Sequence, residues 1–280
     1  MIVQPAGSGP LQPRNLRTRI AMNSYLNTLF DLQDKVVILT GAGGFLVGEM
    51  ARAAGLAGMK VVCCDIRLED ANRTADHIVD AGGKAIALEL DVCKACDFQR
   101  VLDETLRTFG RLDCVLNGAG RNAPTAFFDV TVEEWDDILR VQLTGTMLSC
   151  QTFGRHLVAQ GSGSIVNISS ASSGPPLSKA FTYSVAKAGV ANLTQNLARE
   201  WGECGVRVNA LRPGFFPTEW SKQNFITPER EAAILGHTAM KRYGDPKELV
   251  GAVLWMFSSA AGFVTGAEIA VDGGFTAMTI

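Results

Sequence analysis

Short apolar runs that stop at glycine or an acid, each followed by a stretch with helical spacing, recur along this chain and leave few folds open. Lys35–Thr40 (KVVILT) runs into Gly41, Gly43 and Gly44, and a helical pattern is under way from Met50 to Leu56. Lys60–Asp65 (KVVCCD) ends in a carboxylate, and a polar helix is expected from Glu69 to Ala81, closed by a Gly-Gly turn. Strand Lys84–Leu90, helix Phe98–Phe109 and strand Asp113–Asn117 continue the series, and a long helical pattern then runs from Val132 towards Leu157. Strand Ser164–Ser170, a helix ending near Trp201, strand Val206–Leu211, helix Pro246–Phe257 and strand Glu268–Val271 complete it. Runs that are apolar throughout are buried on both faces, and their alternation with helices predicts an α/β chain with a doubly wound, Rossmann-type parallel sheet of seven strands.

With 280 residues, 47% hydrophobic and 19% charged, the chain has material for one sizeable core, here assigned to residues 31–280. Residues 1–30 are expected to be a disordered leader or the product of a misassigned start, with a transit peptide as the other reading; Met1–Ala21 holds three arginines and no acid. A net charge of -2 gives no reason to expect nucleic acid as a partner. Seven cysteines, an odd number without a secretory signal, predict reduced thiols and a cytoplasmic protein. Cys93 and Cys96 form a lone CxxC with no second pair, so no metal is expected. Leu249–Ala267 is uncharged except that glycines and hydroxyls interrupt it, and it reads as a buried helix, a polar turn and a strand entry rather than a membrane span.

Three places suggest chemistry. The glycines after the first strand would let backbone amides approach a pyrophosphate at a helix N-terminus, where the helix dipole also favours negative charge. Asp65, roughly 20 residues on, stands where a ribose 2′-hydroxyl is held and would repel a 2′-phosphate, so the expected cofactor is NAD in preference to NADP, with Arg67 as the counterweight. In AFTYSVAKAGVA (Ala180–Ala191), Tyr183 and Lys187 are four apart and share a helix face. A nearby ammonium favours the phenolate, which makes Tyr183 a candidate general acid/base. Ser169 or Ser170, at the C-terminal end of a parallel strand, has a hydroxyl able to orient a carbonyl oxygen. Phe215–Arg242 lacks a clean period and suits a substrate lid, at about residues 215–242.

Taken together, these motifs resemble the short-chain dehydrogenase/reductase family from about Leu32 to the C-terminus. The matching residues are Thr40-Gly41, Asp65, Asp91-Val92, Asn117-Gly118-Ala119-Gly120, Ser170, Tyr183 with Lys187, Pro213-Gly214 with Thr218, and Asp272-Gly273-Gly274. The resemblance implies that Tyr183 is the acid/base, that Lys187 lowers its pKa and holds the nicotinamide ribose, and that Ser170, thirteen residues before the tyrosine, positions the reacting oxygen. It also implies a dinucleotide site drawing on Gly43, Gly44, Phe45, Leu46, Val92, Asn117–Gly120 and Phe216, with Asp91 at the adenine and Thr218 at the carboxamide. A homotetramer is implied as well.

Two departures stand out. Phe45 and Val47 occupy glycine positions of the usual TGxxxGxG loop, where bulk is expected to crowd the pyrophosphate or shift the helix start. Gln142 stands where the family has the asparagine of a proton-relay water. The loop, together with RPGFFPTEW (Arg212–Trp220), is similar to a sugar-acid branch that includes D-mannonate oxidoreductases (fructuronate reductases) and gluconate dehydrogenases. The expected activity is therefore interconversion of a secondary alcohol and a ketone on such an acid; the alternatives are a polyol or 3-oxoacyl reductase, or a non-catalytic dinucleotide sensor. Arg121, Lys179 or Arg242 would meet a substrate carboxylate, and Trp220 would line the substrate site.

Overall fold

The computed structural model describes residues 24–178, 180–218, 222 and 226–278. Seven strands form one parallel sheet in the order β3-β2-β1-β4-β5-β6-β7. They are β1 Val36–Thr40, β2 Lys60–Asp65, β3 Lys84–Glu89, β4 Cys114–Asn117, β5 Gly163–Ile168, β6 Val206–Pro213 and β7 Glu268–Val271. The strand alternation divides the apolar residues between two cores. Val37 and Leu39 of β1, Val61 and Cys63 of β2, and Cys114 and Leu116 of β4 face the core shared with α1 (Phe45–Leu56), α2 (Leu68–Asp80) and the last helix. Their neighbours Val36, Ile38, Val62, Cys64 and Val115 face the other, with Phe98 and Val101 of α3 (Ala95–Phe109). A period of two with both faces apolar is why these runs read as unbroken hydrophobic stretches.

The strand order reverses between β1 and β4, and at that switch point the two parallel strand ends are in register, Thr40 opposite Asn117. Ligands in open α/β sheets bind in the crevice outside such carboxyl ends. At the opposite end of these strands, Asp113 ties three starts together: its carboxylate accepts from Val36 N at 2.8 Å and Arg111 Nε at 2.9 Å, and its carbonyl from Ser164 N at 3.0 Å.

Several element ends differ from the sequence reading. α1 begins at Phe45, not near Met50, because Gly44 is extended at the N-cap and the first turn closes with Gly48 N on Gly44 O at 2.8 Å. β5 stops at Ile168, so Ser169 and Ser170 lie just past the strand. The long helix expected from Val132 to Leu157 is three pieces: α4 (Val132–Leu139), a π-helical turn at Arg140–Thr144, and α5 (Gly145–Gln160). π-turns inside helices cluster at functional sites, and this one carries Gln142. The segment from Leu249 resolves as expected into α8 (Lys247–Phe257), a 3₁₀ turn at Ser259–Ala261, and β7. Between these lie α6 (Phe181–Trp201) and α7 (Pro228–Gly236), the latter in the expected lid. Of the expected leader, residues 1–23 lie outside the described residues, while 24–29 are helical. Among the described residues, no helix is long and apolar enough to cross a membrane and no cluster of metal-ligating side chains occurs.

Asp113→Ala would strip the partner from a fully buried Val36 N–H. It should lower unfolding free energy by about 2 kcal/mol in chemical denaturation, the cost of an orphaned buried donor.

Candidate active site

The glycine turn after β1 is packed against the turn after β4. Gly41 has φ +77°, and a Cβ there would lie 2.8 Å from Ala119 Cα, so a side chain is excluded both by conformation and by space. Thr40 Oγ1 accepts from Gly118 N at 3.1 Å and Ala119 N at 3.3 Å, fastening the two turns to each other. The first turn of α1 has neither a side-chain cap nor an acidic residue. Its leading N–H groups are therefore available to an anion. Gly43 and Gly44 bring the backbone to this point bare; a Cβ on Gly43 would stand 2.4 Å from Asp70 Cβ. The two bulky departures separate here. Val47 is buried, its Cγ2 2.5 Å from where a Cβ on Gly118 would be, so it fills the space beneath the turns. Phe45 lies half exposed on the first turn. These donors fit an anion such as a dinucleotide pyrophosphate.

Asp65 borders this turn from β2. One carboxylate oxygen accepts from Gly43 N at 3.1 Å and the other from Arg67 N at 3.1 Å. The Arg67 guanidinium, which could have met a phosphate, is paired with Asp70, and Asp70 also binds Arg73 at 2.5 Å. These guanidinium hydrogen bonds hold the Asp70 carboxyl below its ordinary range. Asp91, whose side chain accepts from Cys93 N at 3.0 Å, is pulled down chiefly by that hydrogen bond. Val92 is buried against Gly145.

Tyr183 and Lys187 lie one turn apart on α6, with the ammonium 5.6 Å from the centre of the phenol ring. Lys187 is 4% exposed, and its Nζ donates to Ile168 O at 2.7 Å, the last residue of β5. The lysine thus ties the strand end that leads into Ser170 to the helix that carries Tyr183. Burial pushes the phenol above its ordinary value, and a hydrogen bond from Ser170 opposes that rise. Burial also pushes Lys187 down to about 7. Lys187 is itself costly to charge at this depth.

Other expected residues make contacts of their own within the protein. Asn117 is buried, giving a hydrogen bond to Asn167 Oδ1 at 2.8 Å and accepting one from Ser149 at 2.5 Å; Asn167 continues to Thr194 at 2.9 Å. Its side chain knits β4, β5, α5 and α6 beneath the site, while Gly118, Ala119 and Gly120 form the surface above. Gln142 is buried, donates from Nε2 to Arg121 O at 2.7 Å, and has Oε1 buried without a protein partner. A Cβ on Gly120 would stand 2.7 Å from that amide, so the longer side chain is accommodated only because residue 120 has none. Pro213 is buried, Gly214 backs onto Asp272, and the Phe216 ring covers Gly244. Thr218 O accepts from Lys222 N at 2.9 Å.

The substrate residues fare less well. Arg121 is paired with Asp137, and Arg242 with Glu248 at 2.6 Å, which draws the Glu248 carboxyl down to about 2. Both pairs are solvent-exposed, and exposed pairs of this kind exchange partners at little cost. Lys179 and Trp220 lie outside the described residues. Asp70 and Glu268 were not anticipated. Glu268 accepts from Ser169 and Ser173, which lie 99 and 95 positions away, so no local pattern signals it.

A family model described as enoyl-(acyl carrier protein) reductase matches residues 47–276. The chain is 36% identical to an uncharacterized oxidoreductase, UxuB, of Bacillus subtilis over 268 residues, covering 88% of this chain and 96% of that one. Its structure is similar to a gluconate 5-dehydrogenase from Burkholderia cenocepacia in complex with NADP and tartrate (TM-score 0.86, 29% identity, 91% of this chain and 100% of that one). A structure from Haemophilus influenza provisionally named a D-mannonate oxidoreductase, with bound NAD, is similar at TM-score 0.84 and 31% identity over 89% of this chain and 97% of that one.

The burial of Lys187 gives the site a pH signature that needs no substrate. A lysine in the unfolded chain keeps its proton to about pH 10.4, whereas folded Lys187 releases its proton near 7. Between those values the unfolded state binds the extra proton, so this lysine makes the fold least stable below about pH 7 and adds stability as pH rises towards about 10. Lys187→Met should remove that slope: its melting temperature relative to the parent should be highest near neutral pH and fall as pH rises. A constant difference across the window would contradict the assigned burial cost.

Proposed function

The chain belongs to the short-chain dehydrogenase/reductase family, and from that premise we propose that it is an NAD-dependent oxidoreductase interconverting a secondary alcohol and a ketone on a sugar acid of the D-mannonate/D-fructuronate or gluconate type. The carrying observation is that Lys187, buried on the helix one turn from Tyr183, faces the phenol ring and donates to the carbonyl at the end of the strand that leads into Ser170. When bound, the nicotinamide supplies hydride chemistry, accepting a hydride from the carbinol carbon or returning it to the ketone. Tyr183 Oη takes the hydroxyl proton in oxidation and returns it in reduction. Ser170 donates to the reacting oxygen and favours the charge that develops there. Lys187 would meet the nicotinamide ribose, and the buried Gln142 Oε1 supplies an acceptor for a water on the way to solvent. Because burial raises the phenol, the protonated form predominates at neutral pH, which favours ketone reduction; alcohol oxidation should accelerate as pH rises.

The choice of NAD rests on Asp65 and Asp70 together. A 2′-phosphate would meet Asp65, and the nearest guanidinium, Arg67, is already committed to Asp70. The named neighbours carry NADP in one case and NAD in the other, so the preference is argued from these side chains. The sugar-acid reading is supported by those two neighbours and by the RPGFFPTEW segment. We further place residues 31–280 as the catalytic domain with a lid at about 215–242, and take the protein to work as a homotetramer in the cytoplasm, from family resemblance and reduced thiols.

The test is reduced-nicotinamide formation by the purified protein across D-mannonate, D-gluconate, neutral polyols and a 3-hydroxyacyl thioester, with each dinucleotide. Turnover on one of the acids with NAD is expected. Turnover confined to polyols or the thioester would overturn the substrate class, and silence across the panel would overturn the enzyme reading. Asp65→Ser should move the NADP-to-NAD preference by about tenfold or more, since it removes a like charge facing the phosphate.

A further inference from the structure

Ser170 lies in a turn whose flanking serines share one acceptor. Ser169 Oγ donates to Glu268 Oε1 at 2.5 Å, and Ser173 Oγ donates to the same oxygen at 2.8 Å. The other carboxylate oxygen of Glu268 is held by Arg212. Glu268 opens β7 and is paired in register with Ala210 of β6, so the carboxylate is fixed by the sheet. The turn is also fixed by its backbone, through Ser169 N to Leu211 O at 2.7 Å and Ala171 N to Pro213 O at 3.0 Å, both acceptors in β6. Within it, Ser172 donates to Ser170 Oγ from its backbone N at 3.2 Å and from its hydroxyl at 3.1 Å. The Ser170 oxygen thereby accepts from its own turn and keeps its own proton to give elsewhere.

We propose that Glu268 is a positioning residue for the reaction: by gripping Ser169 and Ser173 on either side, it fixes the turn in which the Ser170 hydroxyl is aimed at Tyr183. This rests on the reading of Tyr183 and Ser170 given above. The grip needs an ionised acceptor. The hydrogen bonds from Arg212, Ser169 and Ser173 outweigh the upward push of burial and leave the Glu268 carboxyl below its ordinary range. It reaches Tyr183 only through Ser170, whose hydrogen bond lowers the phenol, while Lys187 is the charged group facing the ring.

The test uses Ser169→Ala/Ser173→Ala, which removes both donors and leaves the Arg212–Glu268 pair in place. Tyrosine ring-carbon NMR suits the readout, because the chain has only three tyrosines and Tyr183→Phe identifies the signal. The phenol titration is expected to move to higher pH in the double variant. The kcat is expected to fall about tenfold to a hundredfold with KM for the dinucleotide unchanged, as befits a misplaced group near the chemistry. A role confined to stability would lower the melting temperature and leave both the titration and kcat where they are, and that result would overturn the proposal. The NMR arm does not depend on turnover. A shifted titration in a protein that turns nothing over would sink the dehydrogenase reading, and with it the role in a reaction, while keeping the hold of Glu268 on the turn beside the phenol. An unmoved titration in an active enzyme would do the reverse. If the double variant does not fold, Ser173→Ala alone, at a half-buried position, is read in the same way.

Discussion

The hydrogen bond from Lys187 to the carbonyl of Ile168 joins what the chemistry requires to be together. Ser170 follows a strand and Tyr183 sits on the first turn of a helix, and among the described residues no other regular element lies between them. A buried ammonium seeks an acceptor strongly, so the lysine holds the strand end that leads into Ser170 against the helix that carries Tyr183. The cost is a lysine pushed down to about 7, in a place where burial alone would favour an apolar side chain. That is the pattern of a functional site, where stability is given up for a poised charge.

Around this contact the rest of the site follows from close backbone approach. Gly41 against Ala119, Gly118 over Val47 and Gly120 beside Gln142 leave no room for side chains at the switch point, and the space so kept lies where the strands end. Beneath it, the Asn117–Asn167–Thr194 chain of hydrogen bonds locks β4, β5 and α6 into one rigid base. Satisfied buried polar networks of this kind specify one arrangement rather than merely stabilise it.

The fold was legible in the sequence because its signal is local. β1, β2 and β4 are short runs whose apolar residues all belong to one of two cores, and glycines and acids mark their ends. Tyr183 and Lys187 were legible for the same reason, being one helical turn apart. The start of α1 was not, since Phe45 and Val47 stand where a loop of glycines is customary, and only the cavity under Gly118 explains why a valine is tolerated. The break at Arg140–Thr144 was hidden because a π-turn keeps the apolar spacing of the helix on either side. Glu268 and the pairing of Arg121 with Asp137 depend on contacts brought about by the tertiary fold, and a list of nearby cations in the sequence could not reveal the partners of Arg121 and Arg242.

The central claim is that Tyr183 carries the proton while the dinucleotide site stands independently of it. Single-turnover formation of reduced nicotinamide, measured for the parent and Tyr183→Phe with dinucleotide bound to both, addresses it most directly. The account predicts parent-like dinucleotide affinity in the variant and hydride transfer slower by about a hundredfold or more, the usual worth of a positioned acid/base. Hydride transfer at the parent rate in Tyr183→Phe would contradict it.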